Sequence, residues 1–381
     1  MGEMREKDDG EGMSGTRKEP AGVPGLERLV VVERTGSTND DLRSALTGVD
    51  GRLDLRAAAA WPHISALWAR RQDAGRGRAG RRWITPPGSA LTVSFVLRPL
   101  VPAAALAWLP LLAGLAARDV VDAILISARA PWRARTKWPN DVILVPNERA
   151  GEGTAAGAGV GIGVGEGTGG GAGDAAVPVP AEIPGWGRAR KVAGVLAELI
   201  PTAGGIGART SAGTTGTADA SGAASAADAS GAASAADAPG GGGAADADRG
   251  AACAVVLGIG VNTGQSESEL PVPWATSLRL AGARVEPRAL LEPLSARLDE
   301  LVTAWEAGEG DPDAGDGALG AALRRACTTL GRRVRVDAPG GVLRGTAVDI
   351  APGLVLRGAD GTMRTVDAGD VSHVRTDGAV D

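Results

Sequence analysis

Residues 72–83 read QDAGRGRAGRRW, three glycines and four arginines in twelve positions, and the fold turns on what this stretch is. Gly75, Gly77 and Gly80 spell G-x-G-x-x-G, the spacing of a dinucleotide-binding turn. That reading requires a helix directly after the glycines and an acidic residue about twenty positions further on. Here the glycines run into Trp83-Ile84-Thr85-Pro86-Pro87-Gly88, where the prolines block a helix. Around position 100 the chain reads FVLRPLVP, with no acid. A dinucleotide fingerprint is excluded. No G-x-x-x-x-G-K-[ST] occurs, so a P-loop is excluded as well.

What remains is a loop in which backbone amides and guanidiniums surround one spot, with glycines allowing close approach. Arg76, Arg78, Arg81 and Arg82 repel one another by about 0.7 kcal/mol per pair at ~6 Å in water, and an anion reverses that sign. Two readings follow: a solvated basic loop, or a loop that is mobile when empty and orders over a phosphate-bearing ligand.

The chain has 381 residues and a net charge of -5, which does not suit a general nucleic-acid binder. Any anion site must come from local clustering. Two cysteines, Cys253 and Cys327, are too few for a disulfide framework and read as free thiols in a reducing compartment. No signal peptide or membrane span is legible, so a cytoplasmic protein is expected. Only four lysines occur. Two lie in the N-terminal tail, which leaves Lys137 and Lys191 to be explained. Asn39, Asn140 and Asn262 are three of only four asparagines.

Strands are expected at 29–33, 64–69, 90–97, 142–145, 192–199 and 254–261, and helices from Ser37 to Leu46, over 103–123 and over 290–305. After Gly331, short strands broken by Pro-Gly, Gly-Gly and Asp-Gly turns read as a small β-barrel. The fold class is α+β: a catalytic domain over 26–310, a barrel over 328–376 and a disordered tail over 1–25. Segments 146–187 and 201–250 are Gly/Ala/Ser-rich and read as flexible, inert insertions.

The loop does not stand alone. Gly36-Ser37-Thr38-Asn39 precedes it. Thr136-Lys137-Trp138-Pro139-Asn140-Asp141, Arg190-Lys191-Val192-Ala193-Gly194-Val195-Leu196 and Gly258-Ile259-Gly260-Val261-Asn262 follow. This set, in this order, resembles the biotin–protein ligases, over about 28–145, 188–200 and 252–376. The resemblance implies a biotin/lipoate ligase-like domain with a mixed sheet and flanking helices, plus a C-terminal SH3-like barrel. It implies that biotin is activated by ATP as biotinyl-5'-AMP, then transferred to a lysine of a biotin carboxyl carrier domain.

The resemblance also suggests roles. Lys191, Arg78, Asp141 and Lys137 would be catalytic, Lys191 following the carboxylate as it becomes an anhydride and Asp141 orienting or deprotonating the acceptor lysine. Biotin would be held by Ser37, Thr38, Asn39, Gln72, Arg76, Gly77, Arg78, Lys191 and Gly194. ATP and the adenylate would meet Gly75, Arg76, Arg78, Arg81, Trp83, Asn140 and Asn262. Several of these residues have plainer readings: Ser37 to Asn39 as a helix cap, Asp141 as a turn former, Gly260 as a packing residue, and Trp83 as a core filler in place of an adenine stack.

Magnesium is implied by the nucleotide chemistry, and no metal site is legible; His63 and His373 lack partners at ligand spacing. Only some 25 polar residues precede the first strand, so no DNA binding is expected. A monomer or weak homodimer is expected. Two alternatives remain: a lipoate–protein ligase, whose R-R-x-S-G-G-G signature is absent, and a non-catalytic biotin sensor, which would need neither Lys191 nor the arginines.

Overall fold

Alternation along the first strand sorts the core into two faces. In β1 (Arg28–Val32), Val31 belongs to one apolar cluster, while Val30 and Val32 belong to another, as the two-residue period of a strand requires. The computed structural model describes residues 22–83, 85–147, 180–202, 253–367 and 369–373. The elements that follow are α1 (Thr38–Leu46), the short α2 (Leu55–Ala58), β2 (Ser65–Ala69), β3 (Gly75–Arg76), β4 (Arg82–Trp83) and β5 (Ala90–Leu97). Then come α3 (Leu109–Ser127), β6 (Trp132–Lys137), β7 (Asp141–Pro146), β8 (Arg190–Pro201) and β9 (Cys253–Asn262). The chain continues through α4 (Leu291–Ala307) and α5 (Ala318–Ala326).

Seven strands form one sheet in the order β1-β2-β5-β9-β8-β7-β6. Only β1 and β2 pair in parallel; every other neighbouring pair is antiparallel. The sheet is therefore mixed, as expected. Leu91, Val93, Phe95 and Leu97 of β5, with Val255, Leu257, Ile259 and Val261 of β9, pack in the same cluster as α3 and α4. On the opposite face, Val96, Ile200, Ala254 and Val256 meet Leu42 and Leu46 of α1. Further along that second face large apolar residues give way, Leu196 excepted, to Thr92, Ser94, Gly194, Gly258 and Gly260. Ser94 pairs across strands with Gly258, and Gly194 with Gly260. Small and polar side chains in register leave a concavity that apolar side chains would have filled.

The helix expected over 103–123 is a 3-10 turn over Ala103–Trp108 followed by α3, with Pro110 in the first turn, where its missing N–H costs nothing. The sequence pattern did not pick out α5, whose Leu323 and Ala326 join the core shared with α3. The C-terminal strands β10 (Arg333–Ala338), β11 (Gly341–Ala351), β12 (Gly353–Arg357), β13 (Met363–Val366) and β14 (Asp370–His373) form an antiparallel sheet, order β13-β12-β11-β10-β14. Its Val334, Val336, Leu354 and Leu356 are continuous with the main core. Trp138 joins the two parts: its backbone N–H donates to Thr329 Oγ1 (3.1 Å) and its indole N–H to Pro352 O (3.4 Å).

The expected tail lies outside the described residues up to residue 21, as do 148–179 and 203–250 of the two expected insertions. One boundary is corrected. Residues 180–187, assigned by composition to the first insertion, form a turn in which Ile183 bridges Gly187. Arg190 secures it by donating to Ala181 O (2.5 Å) and Gly187 O (3.3 Å). The averaged composition concealed one large side chain, Trp186, which finds a partner in Trp274. Cys253 and Cys327 are free and buried. Among the described residues, no helix is long and apolar enough to cross a membrane.

Candidate active site

The concavity is a cavity of about 640 Å³, within the range of small-molecule sites. Every residue to which the resemblance assigns a catalytic or binding role lines it, with one exception, Gly75. A Cβ at Gly75 would sit 2.3 Å from Gln72 Nε2 and 2.5 Å from Trp83 O. Gly75 therefore lets the β3–β4 hairpin close on itself and does not face the ligand space.

One end of the cavity is a neutral hydrogen-bonding cluster. Ser37 caps α1 with its hydroxyl accepting from the Asp40 N–H (3.4 Å), so the plain capping role holds. Thr38 donates from both N (2.9 Å) and Oγ1 (3.2 Å) to Gln72 Oε1. The Ser94 hydroxyl lies 2.7 Å from Thr38 Oγ1 and 2.6 Å from Asn39 Oδ1. Ser37, Thr38, Asn39 and Gln72 are all buried, yet they line the cavity, so capping and ligand contact coexist. A Cβ at Gly258 would stand 2.3 Å from Asn39 Oδ1; the carboxamide rests on bare backbone.

Other parts of the lining are charged. Among the described residues, Arg76, Arg78, Arg81, Arg82, Lys137 and Lys191 line the cavity against only Asp141, Asp337 and Asp370, in a chain whose net charge is -5. Such local excess favours an anionic ligand. Lys191 Nζ pairs with Asp141 Oδ1 at 2.5 Å and lies 5.7 Å from the centre of the Trp83 ring. The Lys191 backbone also holds the next loop: its N–H donates to Trp274 O (2.7 Å), and its carbonyl accepts from Thr276 N (2.8 Å). Lys137 is buried, with Nζ 3.8 Å from the Trp186 ring centre. Burial pushes its ammonium down to about 8, against the opposing pull of Asp141. Burial also lowers Arg78.

The arginine loop differs from the expected self-repelling one. Arg76 Nη2 meets Asp40 Oδ1 (2.5 Å) and Glu198 Oε1 (2.9 Å), and Arg81 meets Asp370 Oδ1 (2.7 Å). Carboxylates from α1, β8 and the C-terminal sheet offset the repulsion, and the loop is a paired hairpin. Trp83 lies on the sheet floor, where a Cβ at Gly260 would come 2.6 Å from its ring. Its indole N–H is buried and has no hydrogen-bond partner among the described residues. Gly260 thus serves close packing under Trp83. Asn140 donates to Val195 O (2.6 Å) and Asn262 to Thr276 O (2.9 Å); both line the cavity while bracing neighbouring backbone.

Sequence reasoning missed Glu198, Trp186, Trp274, Asp337 and Asp370. Glu198 left one signal, an acid in the apolar run VLAELI, and Trp186 and Trp274 another, large aromatics amid Pro and Gly. The two aspartates left none, because only the docking of the C-terminal sheet brings them near.

The model of the biotin/lipoate A/B protein ligase family matches residues 52–209, and that of the biotin protein ligase C-terminal domain matches 329–374. Together they span more than half of the chain. A biotin–[acetyl-CoA-carboxylase] ligase of Mycobacterium tuberculosis is 28% identical over 92% of this chain and 91% of its own length. Another, of Paracoccus denitrificans, is 37% identical over 32% of this chain and 44% of its own. The solved biotin protein ligase of Aquifex aeolicus in complex with biotin and ATP shares the fold, with a TM-score of 0.52 at 19% identity, covering 92% of this chain and 100% of that one. The chain belongs to the biotin/lipoate A/B protein ligase family.

Proposed function

We propose that this protein is an ATP-dependent ligase that activates biotin as biotinyl-5'-AMP and transfers the biotinyl group to a lysine of a biotin carboxyl carrier domain. One observation carries the reading: a single cavity is lined both by buried neutral hydrogen-bonding side chains, suited to an uncharged ureido ring, and by cations suited to phosphates, Lys191 among them.

In the first step a carboxylate oxygen of biotin attacks the α-phosphorus of ATP, and the bond to pyrophosphate breaks. Both reactants are anionic, so the barrier is largely charge repulsion. Lys191 offers a compact charge that stays with the oxygen passing from carboxylate to anhydride. Arg78 and Arg81 line the cavity, and phosphate replacing Asp370 as the partner of Arg81 would hold the hairpin over the adenylate and exclude water. In the second step the acceptor amine attacks the acyl carbon, AMP leaves, and the amine loses a proton. Asp141 is the nearest carboxylate for that proton. Once the adenylate phosphate gives Lys191 a second negative partner, Asp141 is freed to orient the incoming amine. Magnesium accompanies the nucleotide, but the described residues hold no group of three or more His, Cys, Asp or Glu that would ligate it, and no step is routed through it. Buried, free Cys253 and Cys327 accord with a reducing, cytoplasmic setting.

The test is the intact mass of an apo biotin-carrier domain after incubation with the protein, Mg-ATP and equal biotin and lipoate. A biotin-sized gain that disappears with Lys191→Ala supports the reading. A lipoyl-sized gain transfers the assignment to lipoate ligation. No gain on a competent carrier refutes ligation.

A further inference from the structure

Glu198 stands on the apolar face of β8 between Leu196 and Ile200, opposite Val256. Its side chain is only 15% exposed. An acid in such a place loses hydration and must be repaid by partners. It has three. Asn39 Nδ2 donates to Oε2 at 2.7 Å, Arg76 Nη2 lies 2.9 Å from Oε1 and 3.1 Å from Oε2, and Arg43 Nη1 lies 3.3 Å from Oε1. One carboxylate therefore ties the start of α1 to the arginine hairpin, although it does not line the cavity itself.

The chemistry of the Asn39 contact is directional. A carboxylate can only accept, so the amide of Asn39 must present Nδ2 to Glu198. Its Oδ1 is thereby turned to Ser94, against the backbone of Gly258. A negative acceptor on the N–H side also polarises the amide and strengthens Oδ1 as an acceptor. Resting on the proposed ligase reading, we propose that Glu198 is a positioning residue for biotin: it fixes which end of the Asn39 amide faces the neutral end of the cavity, and it anchors Arg76 so that the hairpin stays aligned with the bound acid. Asp40 also holds Arg76, but with half its side chain exposed, where a lone pair contributes little. Nothing else among the described residues fixes the Asn39 amide by charge.

The experiment is calorimetric titration of biotin into the full chain, wild type against Glu198→Gln, Glu198→Asp and Arg43→Ala. Because the dissociation constant reports only folded protein, misfolding lowers the stoichiometry and leaves the constant unchanged. Glutamine can donate as well as accept, so the sense of the Asn39 amide is left to the longer bond from Nδ2 to Leu196 O (3.3 Å) and loses its charged anchor. We expect biotin to bind about tenfold more weakly to Glu198→Gln, with Glu198→Asp in between and Arg43→Ala within twofold of wild type. In an Asn39→Ala background the Glu198→Gln effect should shrink to the part carried through Arg76; a purely structural role would add in full. AMP released per biotin transferred should also rise in Glu198→Gln, because Arg76 loses its buried anchor. An unchanged biotin constant in Glu198→Gln, or full additivity with Asn39→Ala, overturns the role of Glu198 while leaving ligation standing. A wild-type chain that binds no biotin overturns the proposed function, and this inference with it.

Discussion

Lys137 carries a cost that can be measured. Its side chain is buried, and its ammonium is lowered from 10.5 to about 8, chiefly by desolvation. At about 1.4 kcal/mol per pH unit, holding the charge at neutral pH destabilises the fold by about 3 kcal/mol. Lys137→Met keeps the length and the contact with the Trp186 ring but removes the charge. It should raise stability at pH 7 by about 2–3 kcal/mol and sharply slow ligation. The sign follows from linkage. Below pH 8 both states are protonated and the full cost is present. Between about 8 and 10.5 the unfolded chain binds the proton and the native one does not, so wild-type stability rises with pH. The gap between variant and wild type should therefore shrink from pH 7 towards pH 10. Urea unfolding at pH 7, 8.5 and 10 measures it. A gap that stays constant across that range, or a destabilised variant at pH 7, would refute the claim that burial strains this lysine.

Two further changes test the geometry. Gly258→Ala puts a Cβ 2.3 Å from Asn39 Oδ1, so biotin affinity should fall at least about tenfold while unfolding stability drops by about 1–3 kcal/mol; calorimetry showing unaltered affinity would mean that the Asn39 contact is unimportant. Replacing 203–250 by a four-residue turn closes the β8–β9 hairpin where Pro201 already pairs with Cys253. Carrier biotinylation should persist and stability should rise by about 2 kcal/mol from the lower closure entropy, which thermal unfolding would detect; lost activity would show that the insertion takes part in ligation.

Several elements were legible because their signals are local. The eight residues of β5 match the expected strand at both ends, since an apolar face alternating with Thr92 and Ser94 between Gly88 and Pro99 admits little else. The start of α1 was legible from Ser37 and two aspartates. Helix α5 was not, because its apolar residues become meaningful only against α3. The arginine loop was legible as a cationic cluster but not as a paired hairpin: Asp40, Glu198 and Asp370 lie 36, 122 and 289 positions from the arginines they meet, and no local pattern encodes such partners.

What this sequence determined by itself is the chemistry available: which side chains exist, in which order, and on which strand ends and turns they fall. Periodicity and steric exclusion act over a few residues, so they can be read along a line. The tertiary structure decided which charges neutralise which. It set Glu198 beneath Asn39 and Arg76, brought Asp370 from the C-terminal sheet to Arg81, and laid Trp186 over Lys137 from within a tract that composition had dismissed. Those outcomes depend on desolvation and on distances across the fold, and only the folded chain sets either one.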